Sequence, residues 1–205
     1  MDARYLIRLQ VELEYQLDAQ GQLVPFPGSS EQARYIVYHY KEGYARFYRC
    51  DLPAREKANL ETCHPSLAFG DPDRIWHILG VEPSPTETPV FASGIIPDAP
   101  PASSFPEARF RDGVWVIDVE GRLVAWAWSA RMNEKSARGC AELAVEVDEA
   151  FRRRGFGRQV SMAWSHQVIG AGQIAFYSFK TTNQPSQALA LSLGVRVFAY
   201  CVAFG

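Results

Sequence analysis

One segment of this 205-residue chain reads Val145-Glu146-Val147-Asp148-Glu149-Ala150-Phe151-Arg152-Arg153-Arg154-Gly155-Phe156-Gly157-Arg158. A short apolar strand is followed by a connection, a glycine turn and the start of a helix. A helix N-terminus presents unpaired amides and a partial positive charge, so acidic side chains are normally favoured there. This chain instead places arginines at that point, and we expect an anion to bind to them. The arginines are Arg152, Arg153, Arg154 and Arg158.

A pyrophosphate is the anion that this segment suits best. Helix amides and guanidinium groups can converge on it, and Gly155 and Gly157 allow close approach of the backbone. The alternative is a solvated, arginine-rich loop before a surface helix. Other phosphate-binding loops fit less well, because a Walker A loop needs Gly-Lys-Ser/Thr and a dinucleotide fingerprint needs a third glycine where this chain has Val160.

Regular strand and helix patterns surround this turn from about residue 113 to residue 205. A hairpin is predicted around Glu120-Gly121-Arg122, and the helix after the turn shows apolar residues at helical spacing. The predicted order is β-β-β-α-β-α-β, which indicates a mixed α/β fold. The elements are Val114–Val119, Leu123–Ser129, Ala141–Val147, a helix over 157–169, a strand over 173–179, a helix over 186–193 and a strand over 195–204.

Two motifs in this order resemble the GNAT (GCN5-related) N-acetyltransferase superfamily. Arg152-x-x-Gly155-x-Gly157 matches the Gln/Arg-x-x-Gly-x-Gly/Ala signature of that family, and the segment from Asn183-Gln184-Pro185-Ser186 to Leu193-Gly194-Val195 resembles its second helix motif. The whole chain is similar to a bacterial subgroup with an N-terminal β-rich extension. The resemblance implies a GNAT acyl-CoA N-acyltransferase fold, an α+β mixed sheet carrying an N-terminal antiparallel β extension.

The resemblance also implies acetyl-CoA as the cofactor. In the family, the turn holds the pyrophosphate and the preceding strand bonds the pantetheine arm through its backbone. The implied cofactor-binding residues are Val145, Glu146, Val147, Arg152, Arg153, Arg154, Gly155, Phe156, Gly157, Arg158, Asn183 and Ser186.

Amine acetylation needs a group that takes the proton of the nucleophile, commonly a carboxylate. Glu142 resembles the base position of the histone-type branch, and Glu146, on the same side of the strand, is the second candidate. Either could instead be a satisfied strand carboxylate. Ala190 stands where many family members carry a tyrosine that protonates the thiolate, so the general acid stays open, with Tyr177 and Tyr200 as substitutes.

The first fifty residues read as β structure. Apolar and polar residues alternate strictly from Ile7 to Leu17, which predicts a half-buried strand. Two aromatic-rich runs, Ala33–Tyr40 and Tyr44–Arg49, predict a hairpin. The family often ends in a two-strand hairpin, but only one strand fits here, so its edge could take the N-terminal sheet or a second subunit, as in a homodimer.

Three regions are therefore expected: a β-rich extension over 1–50, a helical and Pro-rich acceptor-side region over 51–112, and an acetyl-CoA-binding core over 113–205. A helix should follow Pro53, and a second should run from Asp71 to Leu79. The stretch from Val81 to Phe110 holds seven of the thirteen prolines and reads as loop with at most a short strand near Val90–Ala92.

Composition and charge argue against a nucleic-acid-binding, membrane-spanning, secreted or metal-binding protein. A net charge of −2 and a pI of about 6.1 argue against a nucleic-acid partner. The absence of a long apolar run predicts no membrane segment and no signal peptide, and hence a cytoplasmic protein. Cys63-His64 has no second ligand pair, so no metal site is expected.

The predicted function is transfer of an acetyl group to a primary amine, on a small molecule or a peptide. The alternative is a catalytically silent acyl-CoA-binding protein that regulates a partner. The acceptor, the acyl length and the oligomeric state are not readable from the sequence.

Overall fold

The computed structural model describes residues 1–25, 33–82, 88–133 and 139–205. Pro83 and Pro85 of the predicted loop lie outside these ranges. The chain forms two compact units. Unit 1 comprises residues 1–92, 180–182 and 198–205, and unit 2 comprises residues 93–179 and 183–197. No helix within the described ranges is long and apolar enough to span a bilayer.

Unit 1 begins with a helix, α1 (Ala3–Glu14), where a strand was predicted from Ile7 to Leu17. That prediction is wrong for residues 7–14, and only Gln16–Leu17 (β1) forms a strand, paired with Leu23–Val24 (β2). The Asp2 carboxylate caps the helix by accepting from the Arg4 N–H at 3.1 Å. The alternating apolar positions fall on two sides of the helix, and both sides are buried, so strict alternation is compatible with a helix here.

The predicted aromatic hairpin is confirmed as β3 (Tyr35–Tyr40) and β4 (Gly43–Tyr48). The last strand of the chain, β11 (Arg196–Phe204), runs antiparallel beside β3, with Ala199 opposite Tyr40 and Phe204 opposite Tyr35. The strand order in this unit is therefore β4-β3-β11. Of the two neighbours expected for the last strand, the N-terminal hairpin is the one that the structure shows.

Helices cover both faces of this small sheet. Ile36 and Tyr38 pack with α1 on one face, and Val37 and Phe204 face three helices on the other. Alternate residues of a strand point to opposite faces, so both sets of apolar side chains are buried. The three helices are α2 (Ala54–Thr62), α3 (Leu67–Gly70) and α4 (Pro72–Ile78). The predicted helix after Pro53 and the one starting near Asp71 are thus confirmed.

Unit 2 contains a mixed sheet in the order β5-β10-β9-β8-β7-β6. β9 and β10 are parallel, while β6 to β9 pair antiparallel in sequence. From β7 to β11 the predicted order β-β-β-α-β-α-β is confirmed. The strands are β5 (Phe91–Ile96), β6 (Arg109–Arg111), β7 (Val114–Val119), β8 (Arg122–Asn133), β9 (Cys140–Val147) and β10 (Ile174–Lys180), and the helices are α5 (Phe156–Gly170) and α6 (Gln184–Ser192).

Two strands of this unit, β5 and β6, lie within or at the end of the stretch from Val81 to Phe110 that was predicted as loop. β5 extends the short strand expected near Val90–Ala92 to residue 96, and β6 has only three residues. The turn between β7 and β8 has positive φ at both Glu120 and Gly121, which is the geometry of a two-residue hairpin turn.

Helix α5 packs on one face of β7, β8 and β9. Val160 and Ala163 are fully buried, and the indole N–H of Trp164 donates to Ser129 Oγ at 3.0 Å. On β9 the residues in this core are Ala141, Leu143, Val145 and Val147. This packing fixes the first turn of α5 close to the end of β9.

Candidate functional site

The connection from β9 to α5 is a tight, hydrogen-bonded turn. The Asp148 carboxylate accepts from the Ala150 N–H at 3.0 Å and from Arg122 Nη2 at 2.5 Å. These bonds, the backbone one first, lower the pKa of Asp148. After one 3₁₀ turn the backbone takes positive φ at Arg153 (62°) and Gly155 (84°), and α5 begins at the next residue.

The N-terminus of α5 is open to a ligand. No side chain caps it, and the first backbone bond into the helix is donated by the Gln159 N–H to the Gly155 carbonyl at 3.1 Å. The amides of Phe156, Gly157 and Arg158 therefore have no acceptor within the helix. A Cβ at position 155 would meet no described atom within 4 Å apart from its chain neighbours, so no other part of the described protein packs against this residue.

Gly157 lies close to β9. A Cβ there would lie 3.0 Å from Val147 Cγ2, so the glycine allows close packing of α5 against β9. The sequence argument assigned both glycines to approach of a ligand, and this contact adds a packing role for Gly157 that positions the helix end.

The four arginines are all exposed, but they are held in different ways. Arg152 donates from Nε to the Val147 carbonyl at 3.4 Å and lies 3.9 Å from Glu149. Arg154 stacks over the Phe151 ring, 4.9 Å from its centroid. Arg158 donates from Nε to the Ser192 carbonyl at 3.2 Å, so its head is directed to the end of α6.

The strands β9 and β10 separate beside this turn. Their parallel register ends with Phe176 opposite Glu142, although β9 continues to Val147 and β10 to Lys180. On its other side β9 stays paired with β8, with Ala127 opposite Val145 and Ala125 opposite Val147. Within the described residues, the segment 143–147 thus has a strand neighbour on one side only, which leaves backbone groups of the predicted pantetheine strand available on the other.

Glu142 and Glu146 lie on the face of β9 opposite to α5, as their spacing predicts. Glu142 is 6% exposed, and its Oε2 accepts from Arg131 Nη1 at 3.0 Å. Glu146 is exposed and lies opposite Trp126 of β8. The two candidates therefore differ sharply, since one is buried and ion-paired and the other faces solvent.

Arg131 is a site residue to which sequence reasoning gave no role. A register shift between Ser129 and Arg131 brings Arg131 opposite Glu142. Such an irregularity cannot be read from strand alternation, because it moves one residue out of the pleat. The guanidinium of Arg131 is ion-paired with this buried carboxylate and holds it in place.

The start of α6 holds the second set of predicted residues. Asn183 Oδ1 accepts from the Ser186 N–H at 3.1 Å and caps the helix. The Tyr177 hydroxyl is hydrogen-bonded to Ser186, and burial raises the pKa of Tyr177, so it stays protonated. Ala190, at the position of the missing tyrosine, is 4% exposed and belongs to the core.

Comparison with known proteins gives one match to a family model and several solved structures with low sequence identity to this chain. Residues 121–202 match a family model described as FR47-like protein. No curated protein matches the chain. A GCN5-related N-acetyltransferase-like protein from Streptococcus suis is 13% identical over 87% of both chains, with a TM-score of 0.43.

Two further solved structures are similarly distant. A GCN5-related N-acetyltransferase from Sphaerobacter thermophilus is 10% identical, with 78% of this chain and 70% of that chain covered and a TM-score of 0.41. An acetyltransferase from the GNAT family from Colwellia psychrerythraea is 13% identical, with a TM-score of 0.40. The match covers 86% of this chain but only 58% of that structure's length.

Because these TM-scores are low, the likeness to a known family depends on the family model over residues 121–202. The model covers β8, β9, the turn, α5, β10 and α6, and these include the elements that carry both motifs. Residues 121–202 are thus similar to the FR47-like family, and both motifs that resemble the GNAT superfamily lie within them.

Proposed function

We propose that this protein transfers an acetyl group from acetyl-CoA to a primary amine by direct attack of the amine nitrogen. The observation that carries the proposal is the coincidence of two features at one place. An uncapped helix N-terminus, flanked by exposed arginines, lies where the paired edge of β9 ends. A phosphate-bearing cofactor with a long amide-containing arm fits both features, because it needs anion contacts and backbone contacts side by side.

The residues present suit coenzyme A. The amides of 156–158 and the side chains of Arg153 and Arg154 would hold the pyrophosphate. The backbone of Val145 to Val147 would bond the pantetheine arm, and Asn183 and Ser186, at the start of α6, would contact the cofactor as the family resemblance implies. When bound, acetyl-CoA supplies a thioester carbon that accepts the amine nitrogen and a sulfur that leaves with the electrons of the C–S bond.

Glu142 is the proposed base, acting directly or through a water. It takes the proton that the amine nitrogen loses as the C–N bond forms, and Arg131 orients its carboxylate at 3.0 Å. Glu146, which is exposed, is the second candidate. Tyr177 is the hydroxyl best placed among the predicted substitutes to protonate the thiolate, since it follows the last paired residue of β10. Without it the thiolate could leave unprotonated, because its pKa is close to that of a cysteine, about 8.5.

A silent acyl-CoA-binding protein is the second candidate function. Ala190 favours it, because the usual tyrosine is missing from α6. The same cofactor site would serve in both cases, and only turnover separates them.

The experiment that tests the proposal has two arms. Thermal denaturation with and without coenzyme A reports binding, and about 2.7 kcal/mol of stabilisation is expected at 100 times Kd. A panel of primary amines with acetyl-CoA, monitored by thiol release, reports transfer. Binding without release on any amine supports the silent alternative, and no change in melting temperature refutes both functions.

A further inference from the structure

We propose that unit 1 contains a ligand site of its own, for a small amphipathic carboxylate, in the groove between α1 and the β3–β4 hairpin. The groove has a volume of about 410 Å³, which is in the size range of small-molecule sites. Its polar end is lined by Arg4, Arg8 and Tyr40, and its apolar wall is formed by Ile7, Leu17 and Phe47. This site is independent of the acyl-transfer site.

The two arginines of the groove are anchored in the same way. Arg4 donates from Nε to the Tyr40 hydroxyl at 2.5 Å, and Arg8 donates from Nε to Glu12 Oε1 at 2.9 Å. Each side chain is thereby fixed at Nε, and no described residue accepts from the terminal nitrogens of either. Those nitrogens are the donors with which arginine binds a carboxylate in a bidentate manner.

The two arginines place like charges side by side on α1. Arg4 and Arg8 are four residues apart, so like charges face each other on one side of α1. Both lie in the first half of the helix, where the helix dipole disfavours cations. A carboxylate between the two guanidinium groups would remove the repulsion, and it would also interact favourably with the helix dipole.

The charged residues around the groove favour a ligand that carries a single negative charge. The lining contains no carboxylate, whereas Asp2, Glu12 and Glu42 lie outside it and offset part of the arginine charge. Arg46, the third arginine of the lining, is turned away, since its Nη1 donates to the carbonyls of Leu60 and Cys63. A carboxylate therefore fits better than a doubly charged phosphate.

The apolar wall determines the chemical character of the ligand beyond its carboxylate. Phe47 and Leu17 are half-buried, so an apolar chain attached to the carboxylate would cover their remaining surface. Covering apolar surface contributes about 25 cal/mol per Å². The expected ligand is thus a carboxylate with a hydrocarbon or aromatic body, and acetate should bind far more weakly.

Isothermal titration calorimetry on the full chain, without coenzyme A, tests this site. Decanoate should bind with one-to-one stoichiometry, and decanol should bind at least tenfold more weakly because it lacks the charge. Arg4→Gln and Arg8→Gln should each weaken decanoate binding about tenfold. Arg111→Gln is the matched control, since Arg111 is also an exposed, ion-paired arginine, and it should leave decanoate affinity unchanged.

Three outcomes would overturn the proposal: no decanoate binding, equal affinity for decanol, or equal weakening by Arg111→Gln. If Arg4→Gln does not fold, Tyr40→Phe keeps the arginine but releases its Nε, and a several-fold loss of affinity is still expected. Because coenzyme A is absent and no transfer is measured, failure here leaves the acyl-transfer proposal standing.

Discussion

Two glycines of α5 have different surroundings. A Cβ at position 157 would lie 3.0 Å from Val147 Cγ2, whereas a Cβ at position 170 would meet no atom within 4 Å. We expect Gly157→Ala to push the first turn of α5 away from β9 and to weaken coenzyme A binding about tenfold. Overpacking of this kind typically costs about 1–3 kcal/mol.

Gly170→Ala is the control for this substitution, because it adds the same atom to the same helix without a contact. Coenzyme A titration of both variants, each checked for a cooperative melting transition, gives the comparison. Unchanged affinity in a folded Gly157→Ala protein would mean that the position of this helix end does not matter for the cofactor.

The arginines of the turn should contribute to binding through charge. Arg153 and Arg154 are exposed, and neither forms an ion pair among the described residues. Arg153→Gln and Arg154→Gln should each weaken coenzyme A binding about tenfold at low salt, and less in high salt, because exposed charges are screened. Kd measured over a salt series checks this, with Arg109→Gln as control. A loss that is independent of salt would indicate a steric effect.

The buried carboxylate should control turnover. Glu142→Gln should lower kcat by about 10²–10⁴-fold, while KM for acetyl-CoA changes little, because a base acts on the amine and not on the cofactor. Glu146→Gln, on the same face of β9 but exposed, is the paired variant. Wild-type rates across the pH range for Glu142→Gln would exclude Glu142 and leave Glu146 as the candidate.

At the scale of elements, helices and strands could be predicted where turn residues and the apolar periodicity indicated the same boundaries. The strands and helices from β7 to β11 were predicted to within a few residues, because glycine turns such as Glu120-Gly121 separate clear patterns. The helix α1 was not predicted, because two of its sides are buried and this produces the apolar–polar alternation that normally indicates a strand. The site arginines were predicted by position, but their contacts were not, since Ser192 and Phe151 become neighbours only through folding.

The N-cap of α1 offers a direct check of this helix. The Asp2 carboxylate accepts from the Arg4 N–H, so Asp2→Ala should lower the free energy of unfolding by about 1 kcal/mol. A strand would have no such dependence. Asp98→Ala removes an exposed carboxylate 4.0 Å from Arg196 and should change stability much less. Equal effects of the two substitutions in urea denaturation would contradict the capping role.

At the scale of the whole molecule, the first fifty residues should be inseparable from the fold. Removing them would take β3 away from residues 199–204 and uncover the cores of unit 1. We expect residues 51–205 to be insoluble or to bind apolar dyes. A soluble, cooperatively melting and coenzyme A-binding 51–205 fragment would show that residues 1–50 are a detachable module.

A point substitution tests the same dependence in the full chain. Phe204 is fully buried and packs against Trp76 at 5.0 Å between ring centroids. Phe204→Ala should therefore cost about 3–5 kcal/mol of stability, measured by the same denaturation experiment.

The pairing of β3 with β11 also dictates an order of events during synthesis. β11 is made about 160 residues after β3, so at about 5–20 residues per second the hairpin waits on the order of ten seconds for this partner. Throughout that interval the edge of β3 that later pairs with β11 lacks its partner, which makes the nascent chain a client for chaperones. Synonymous codon changes that slow translation between β4 and β11 should thus lower the yield of folded protein without altering a single residue.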